Sequence, residues 1–187
     1  PFNGANNVNG IDGDTNHDGS GVEVQEVGNT EVLSYQQAYV RKVLDTLNDL
    51  DNVIYEITNA GHPGSTTWQS NWVSFIKQYE ATKPLQHPVG LSATGVGADN
   101  GWLLASQADW VAPADSVSDP VVASGSKVLV ANTSNLCQNC ADRTWLWKSV
   151  TRGQQPLFED SDRATVWSGG AYTVGDTRWN SVRANLG

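Results

Sequence analysis

Three carboxylates in or just after strand-like segments are the residues of this chain best suited to acid–base chemistry. Glu56 lies within one apolar run, and Glu159 and Asp160 directly follow another. Two carboxyl groups do such chemistry when one stays protonated as the acid and the other stays ionised as the base or nucleophile. Ala60, which follows Asn59 at the end of the first run, can neither give nor take a proton.

Each of these acids also has a structural interpretation. Side chains alternate faces along a strand, so Glu56 is expected to point inward, on the same side as position 60. An unpaired carboxylate is costly in that position, which favours an ion pair between Glu56 and a Lys or Arg. Glu159 and Asp160 are catalytic, metal-binding or solvated, and a solvated or structural role is favoured.

Two tryptophans are candidates for stacking on a ligand. Trp102 and Trp167 lie in or near loops that follow predicted strands. An exposed indole there offers a ring face for stacking and an N–H for a hydroxyl. We therefore predict a binding role for both, and above all for Trp167. The tryptophans predicted to lie on helices and to pack are Trp68, Trp72, Trp145 and Trp179.

An N-terminal segment has the spacing of a calcium loop. Oxygen-bearing side chains alternate along it before Gly19, which permits a sharp turn. When Asp14 is counted as the first ligand, the twelfth position is Gln25. A calcium loop has a Glu there that binds through both carboxylate oxygens, so the pattern is incomplete at its last ligand. A turn-rich loop without metal is the alternative. The predicted ligands are Asp12, Asp14, Asn16 and Asp18, with Glu23 supplying the missing carboxylate.

The elements that must position these residues alternate between short apolar strands and amphipathic helices. A capping-box pattern at 34–37 predicts the start of the first helix, and residues 1–32 are predicted to be a long ordered loop rich in Asp, Asn and Gly. The predicted strands are 52–58, 87–92, 109–112, 127–131 and 155–158. The predicted helices are 33–50, one from 66 to before 83, 101–106, 142–151 and one that begins at Asp176.

This alternation predicts an α/β fold in which a parallel sheet is connected by helical crossovers. Five strands are predicted, whereas a closed (β/α)8 barrel needs eight. We therefore expect a single partial barrel domain over residues 1–187, with strands missing upstream or supplied by another chain. Exposed parallel edges favour association, so a homo-oligomer that completes the barrel is also expected.

Composition narrows the partners of the chain. The 187 residues carry a formal net charge of −9, which argues against nucleic acid because phosphate contacts need a basic surface. No apolar run is long enough to span a membrane.

Cys137 and Cys140 are spaced for a local disulfide, as in extracellular proteins, or are two free thiols. An acidic, Trp-rich composition is typical of secreted proteins that bind neutral polysaccharides.

Six segments, in the order in which they follow one another along the chain, resemble the sequence pattern of a known family. They are PFNGANNVNG at 1–10, AYVRK at 38–42, DLDNVIYEI at 49–57, KPLQHPVG at 83–90, DRTWLWKS at 142–149 and RG at 152–153. Together they resemble secreted cellulase-like (β/α)8 glycoside hydrolases. The likeness covers nearly all of this chain and the C-terminal two-thirds of such a barrel. It implies that 52–58 is the fourth barrel strand and 127–131 the seventh.

In the pattern of that family the fourth strand ends in Asn-Glu, with the Glu as general acid/base, and the seventh strand brings a second carboxylate. Here Asn59 matches the Asn, while Ala60 replaces the Glu. The segment Asn132-Thr-Ser-Asn135 stands where relatives resemble Asp-Thr-Asp-His. Both expected acids are therefore replaced.

The resemblance implies a secreted, carbohydrate-active protein that binds or hydrolyses a β-linked polysaccharide or oligosaccharide at the C-terminal ends of the strands. Asn59 and Asn132 are then substrate-binding residues. Hydrolysis would need Glu56, Glu159 or Asp160 in place of the lost pair. The alternatives are a catalytically silent glycan-binding protein and a self-assembling structural protein.

Overall fold

The computed structural model describes residues 2–59, 61–94, 98–116, 118–132 and 143–157, in which helices and strands alternate. The predicted helix after Asp176 lies outside them. No helix of this part of the chain has both the length and the hydropathy needed to cross a membrane. The elements are a 3-10 helix Val22–Gln25, α1 Thr30–Leu47, β1 Tyr55–Glu56, α2 Thr66–Glu80, β2 Val89–Ser92, α3 Gly101–Ala105, β3 Trp110–Ala112, β4 Val128–Asn132, α4 Arg143–Thr151 and β5 Gln154–Leu157.

The five strands form one parallel sheet in the order β1-β2-β3-β4-β5. Because neighbouring strands are parallel, each connection crosses back over the sheet before the next strand begins. All carboxyl ends therefore lie along one edge, here named the carboxyl edge. Within the described residues, β1 and β5 each pair on one side only. The predicted α/β class with a parallel sheet is confirmed.

One face of the sheet holds the core. Its strand residues are almost fully buried and pack against apolar residues of α1, α2 and α3. Removing these side chains from water is the main contribution to folding stability. The strand residues are Val89, Leu91, Val111 and Leu129, and the helices contribute Leu44, Val73, Ile76 and Leu103.

The opposite face carries the polar residues and is less well covered. The pairing register places Glu56, Gly90, Ser92, Trp110 and Asn132 on this face. Glu56 is exposed at one side of the sheet, whereas Ser92 is buried in the middle. This face is therefore the one on which a ligand could approach side chains from several strands.

Helix α1 begins earlier than the capping-box pattern predicts. Its N-cap is Asn29, whose Oδ1 accepts a hydrogen bond from the Val32 N–H at 3.2 Å. Ser34, the predicted cap, instead donates from its hydroxyl to the Glu31 carbonyl at 2.7 Å within the helix. Asn is among the strongest N-caps because its short side chain reaches the third N–H. The predicted loop at 1–32 is thus wrong at its end, since it includes a 3-10 helix and the first turn of α1.

Strand β1 is much shorter than the predicted strand 52–58. The Tyr55 N–H donates to the Pro88 carbonyl at 2.9 Å, and the Ile57 N–H donates to the Gly90 carbonyl at 3.2 Å. On the other side of β1, the described residues provide no partner strand. Each of the other four strands starts and ends within two residues of its predicted bounds.

Candidate functional site

Polar residues named from the sequence meet at the carboxyl edge. Glu56 ends β1, Asn132 ends β4, and Asn59 follows β1 after a short polar turn. In parallel α/β folds the strands hold the start of each loop in a fixed position, and the sequences of these loops can vary without disturbing the sheet. Binding residues are therefore commonly found at the carboxyl ends of the strands. The carboxyl edge is therefore the candidate functional site.

The carboxylate of Glu56 is held by a neighbouring hydroxyl. Ser92 Oγ donates a hydrogen bond to Glu56 Oε1 across the β1–β2 pair. Because Ser92 is only 1% exposed, its hydroxyl is fixed, while the Glu56 side chain is exposed. The Lys or Arg partner favoured for Glu56 is not found in the described part of the chain. Glu56 is thus an exposed carboxylate with one fixed donor.

The two asparagines predicted to bind substrate contact each other. Asn132 Nδ2 donates to Asn59 Oδ1 at 3.3 Å, although the two residues are 73 positions apart. A flat sheet would hold β1 and β4 about 14 Å apart. Asn59 lies three residues beyond the end of β1, so the turn after β1 reaches the end of β4 at the carboxyl edge.

Trp110 lies over Gly90 on the same face as Glu56, and sequence reasoning missed its place in the site. A Cβ on Gly90 would overlap the indole ring of Trp110, so the ring covers the backbone of β2 closely. Its Nε1–H is buried and has no hydrogen-bond partner among the described residues. The alternation of side chains along the predicted strand 109–112 was the signal that could have identified Trp110, and it could have identified Ser92 in the same way.

Trp102 lies on helix α3, which corresponds to the predicted helix 101–106 and follows the loop after β2. It is half-buried and packs against the hydrophobic core. The residue before the helix, Asn100, is tied to the carboxyl end of β3, because its Nδ2 donates to the Ala114 carbonyl at 2.7 Å and its Oδ1 accepts from the Ala114 N–H at 2.8 Å. Trp102 is therefore anchored near the carboxyl edge, and its role in stacking stays a prediction.

Several residues named from the sequence lie outside the described part of the chain. The acids Glu159 and Asp160 are among them, as is the aromatic candidate Trp167. The others are Ala60, Cys137, Cys140 and Trp179. The three remaining helical tryptophans are buried as predicted: Trp68, Trp72 and Trp145.

The structure brings together three of the five predicted metal ligands. Carboxylate oxygens of Asp14, Asp18 and Glu23 all lie within 4.8 Å of one another. Asp12 is not in this group, because its Oδ1 accepts from the Gly4 and Asp14 N–H groups, at 3.3 and 3.0 Å. Asn16 lies beside the group, where its Nδ2 donates to Asp18 Oδ2 at 3.1 Å.

The opposite edge of the sheet holds a buried charged pair that stabilises the fold. His87 Nδ1 lies 2.7 Å from Glu80 Oε1, and His87 Nε2 lies 2.8 Å from the Leu50 carbonyl oxygen. Since both ring nitrogens face acceptors, the doubly protonated imidazolium fits best. The hydrogen bond to Glu80 accordingly raises the pKa of His87 above its usual value. This pair links α2 to the start of β2, away from the carboxyl edge.

Comparisons with known proteins give no assignment. No protein-family model matches the chain, and neither a curated protein nor a solved structure shows significant similarity to it. The functional argument therefore depends on the geometry of the site and on the sequence motifs.

Proposed function

We propose that this chain is a carbohydrate-active protein of glycoside-hydrolase ancestry that binds a β-linked glycan at the carboxyl edge. The observation that carries the proposal is the meeting of Asn59 and Asn132, which come from distant parts of the chain. Glu56 and Ser92 provide a second polar pair on the same face. Neutral polysaccharides outside the cell are the partners that suit an acidic chain of this composition.

The proposed scaffold is part of a (β/α)8 barrel, with β1 to β5 as its fourth to eighth strands. The contact between the turn after β1 and the end of β4 supports this, because the curved wall of a barrel brings the loops at the carboxyl ends of its strands toward one another. The placement of the polar residues supports it as well, since barrel sites are built at the carboxyl ends of the strands.

The chemistry of the edge suits sugar hydroxyls. An asparagine amide offers both donors and an acceptor, and a carboxylate offers acceptors, so Asn59, Asn132 and Glu56 together can bind several hydroxyl groups. Glycan sites usually add an aromatic ring beneath the sugar. We assign that stacking role to Trp167 and Trp102.

Hydrolysis would require two carboxylates on either side of the glycosidic bond. In the described part of the carboxyl edge, Glu56 is the exposed acid of the polar face. Glu159 and Asp160 are the sequence candidates for the second carboxylate. Glycan binding is therefore the function that we propose first, and hydrolysis depends on this second group.

Calorimetric titration with oligosaccharides of β-glucan, xylan and mannan tests the binding. We expect one of these series to bind, and Asn132→Ala to weaken its affinity about tenfold, which is about 1.4 kcal/mol. Gln78→Ala is the matched control, because Gln78 is an exposed amide on α2 away from this edge. Equal affinities for Asn132→Ala and Gln78→Ala, or no binding of any series, would refute the proposed site.

Release of reducing sugar from the same polysaccharides tests hydrolysis. If the protein is a hydrolase, Glu56→Gln or Glu159→Gln abolishes turnover while leaving binding measurable, since the amide keeps the shape of the side chain but not its proton chemistry. Binding without any release of reducing sugar would assign the chain as a silent glycan-binding protein.

Self-association is the second candidate function, and the uncovered parts of the sheet favour it. On the polar face Val128 is 52% exposed and Leu157 is 55% exposed. Beside the unpaired edge of β1 lies a groove of about 330 Å³ whose lining includes Tyr39, Val43 and Trp72. A second copy covering these surfaces would complete the sheet. Light scattering that gives a monomer mass at high concentration would rule out this assembly.

A further inference from the structure

A cluster of acids at the N-terminal end of the chain has no Lys or Arg paired with it among the described residues. Asp14 and Asp18 lie in the loop before the 3-10 helix, and Glu23 lies within that helix. Their carboxylate oxygens lie within 4.8 Å of one another. None of the three forms an ion pair with another described residue. The first Lys or Arg of the sequence is Arg41.

Glu23 is the residue that points to a ligand. It is only 5% exposed, and both of its carboxylate oxygens are buried without a hydrogen-bond partner in the described part of the chain. Buried polar groups are almost always satisfied, and an unpartnered carboxylate is among the most costly exceptions. A cation bound between Glu23 and the two aspartates would satisfy both oxygens at once.

The loop orients the two aspartates for this role. Asp14 Oδ2 accepts from the Gly19 N–H at 2.9 Å, and Asp18 Oδ1 accepts from the Ser20 hydroxyl at 2.6 Å. Gly19, with a φ of 82°, provides the left-handed conformation that this turn requires.

We propose that Asp14, Asp18 and Glu23 form a calcium site. The cluster contains only oxygen ligands, which suit hard cations rather than zinc or copper. Calcium accepts a bidentate carboxylate and an irregular ligand set, and the two buried oxygens of Glu23 fit that preference. Ligands about 2.4 Å from one ion lie at most about 4.8 Å apart, so the observed cluster fits a single ion.

Calcium at this site stabilises the contacts between the N-terminal segment and the rest of the domain. Two residues next to Glu23 make those contacts. The Val24 carbonyl accepts from Gln36 Nε2 on α1 at 2.7 Å, and Gln25 Oε1 accepts from the His62 N–H at 2.7 Å. His62 lies in the turn that follows β1 and Asn59. The ion therefore holds the loop next to the carboxyl edge, whatever binds at that edge.

Calorimetry and thermal unfolding of the chelator-treated protein test the proposal with calcium chloride as the probe. We expect one calcium ion per chain and a rise in Tm on the order of 5–10 °C at a hundredfold excess over Kd. Glu23→Gln should weaken calcium binding at least about tenfold. Glu26→Gln is the matched control, because it makes the same change at an exposed side chain three residues away, and it should bind like the wild type.

A second comparison separates metal binding from a purely structural role of Glu23. With chelator present, Glu23→Gln should unfold at or above the wild-type Tm, because the substitution removes an unpaired buried charge. If this variant does not fold, Asp14→Asn carries the calorimetric test, and it should weaken calcium binding at least about tenfold. No heat and no change in Tm with calcium would overturn the proposal, as would a lower Tm of Glu23→Gln in chelator. An equal effect of magnesium at the same concentration would overturn the assignment to calcium.

Discussion

At the scale of residues, the site consists of pairs that no single motif contains. Glu56 with Ser92, Asn59 with Asn132, and Gly90 with Trp110 each join residues from different strands or loops. The resemblance to glycoside hydrolases predicted the two asparagines as substrate-binding residues. Sequence reasoning missed Ser92 and Trp110, because which neighbour a side chain meets depends on the pairing register, and spacing alone does not fix that register.

The contact between Gly90 and Trp110 gives a prediction about stability. Gly90→Ala should lower the free energy of unfolding by about 1–3 kcal/mol, because the new methyl group overlaps the indole ring and β2 cannot move freely in the sheet. Urea unfolding measures the change. Gly28→Ala is the control, since a Cβ at Gly28 meets no atom within 4 Å. Equal stability of the two variants would show that Trp110 does not cover β2 closely.

The Glu80–His87 pair gives a prediction about pH. The pKa of His87 is raised in the folded state, so its contribution to stability is fully present below the unfolded value of about 6.5 and is lost as pH rises through the folded pKa. The wild type should therefore be more stable than His87→Gln at about pH 6, and this difference in unfolding free energy should decrease as the pH is raised. A constant difference across pH would exclude a charged His87.

At the scale of elements, periodicity predicted the existence and order of the described α-helices and strands, while local hydrogen bonding set their ends. The apolar spacing of α1 is clear from the sequence, yet the true cap lies five residues before the predicted one. Both Asn29 and Ser34 are good capping types, and only tertiary contact separates them, because Asn29 Nδ2 also donates to the Asp12 carbonyl at 3.0 Å.

Replacement of the two candidate caps distinguishes the predicted start of α1 from the observed one. Asn29→Ala should destabilise the protein by about 1 kcal/mol, because the Val32 N–H loses its acceptor. Ser34→Ala should change stability by less than about 0.5 kcal/mol, since Ser34 is an exposed residue inside the helix. Thermal or urea unfolding measures both. The reverse order would restore the capping box at 34–37.

At the scale of the whole molecule, the account joins a parallel sheet, a polar carboxyl edge and an acidic N-terminal loop. Alternation of strands and helices was enough to predict the parallel sheet, because parallel strands need crossovers. The contact of the turn after β1 with the end of β4 was not predictable from spacing, since it depends on the path of the backbone between them. The resemblance thus named Asn59 and Asn132 as substrate-binding residues, and only their contact in the structure shows that they are neighbours.

The most direct test of the central claim is nuclear magnetic resonance mapping of the backbone amide shifts during titration with a β-linked hexasaccharide that binds. The account predicts that the largest shift changes fall at the carboxyl edge, at Glu56, Asn59, Ser92 and Asn132. Residues of the opposite edge, such as His87 and Asn48, should change little. Shift changes centred on that opposite edge, or spread evenly over the sheet, would contradict a glycan site at the carboxyl ends of the strands.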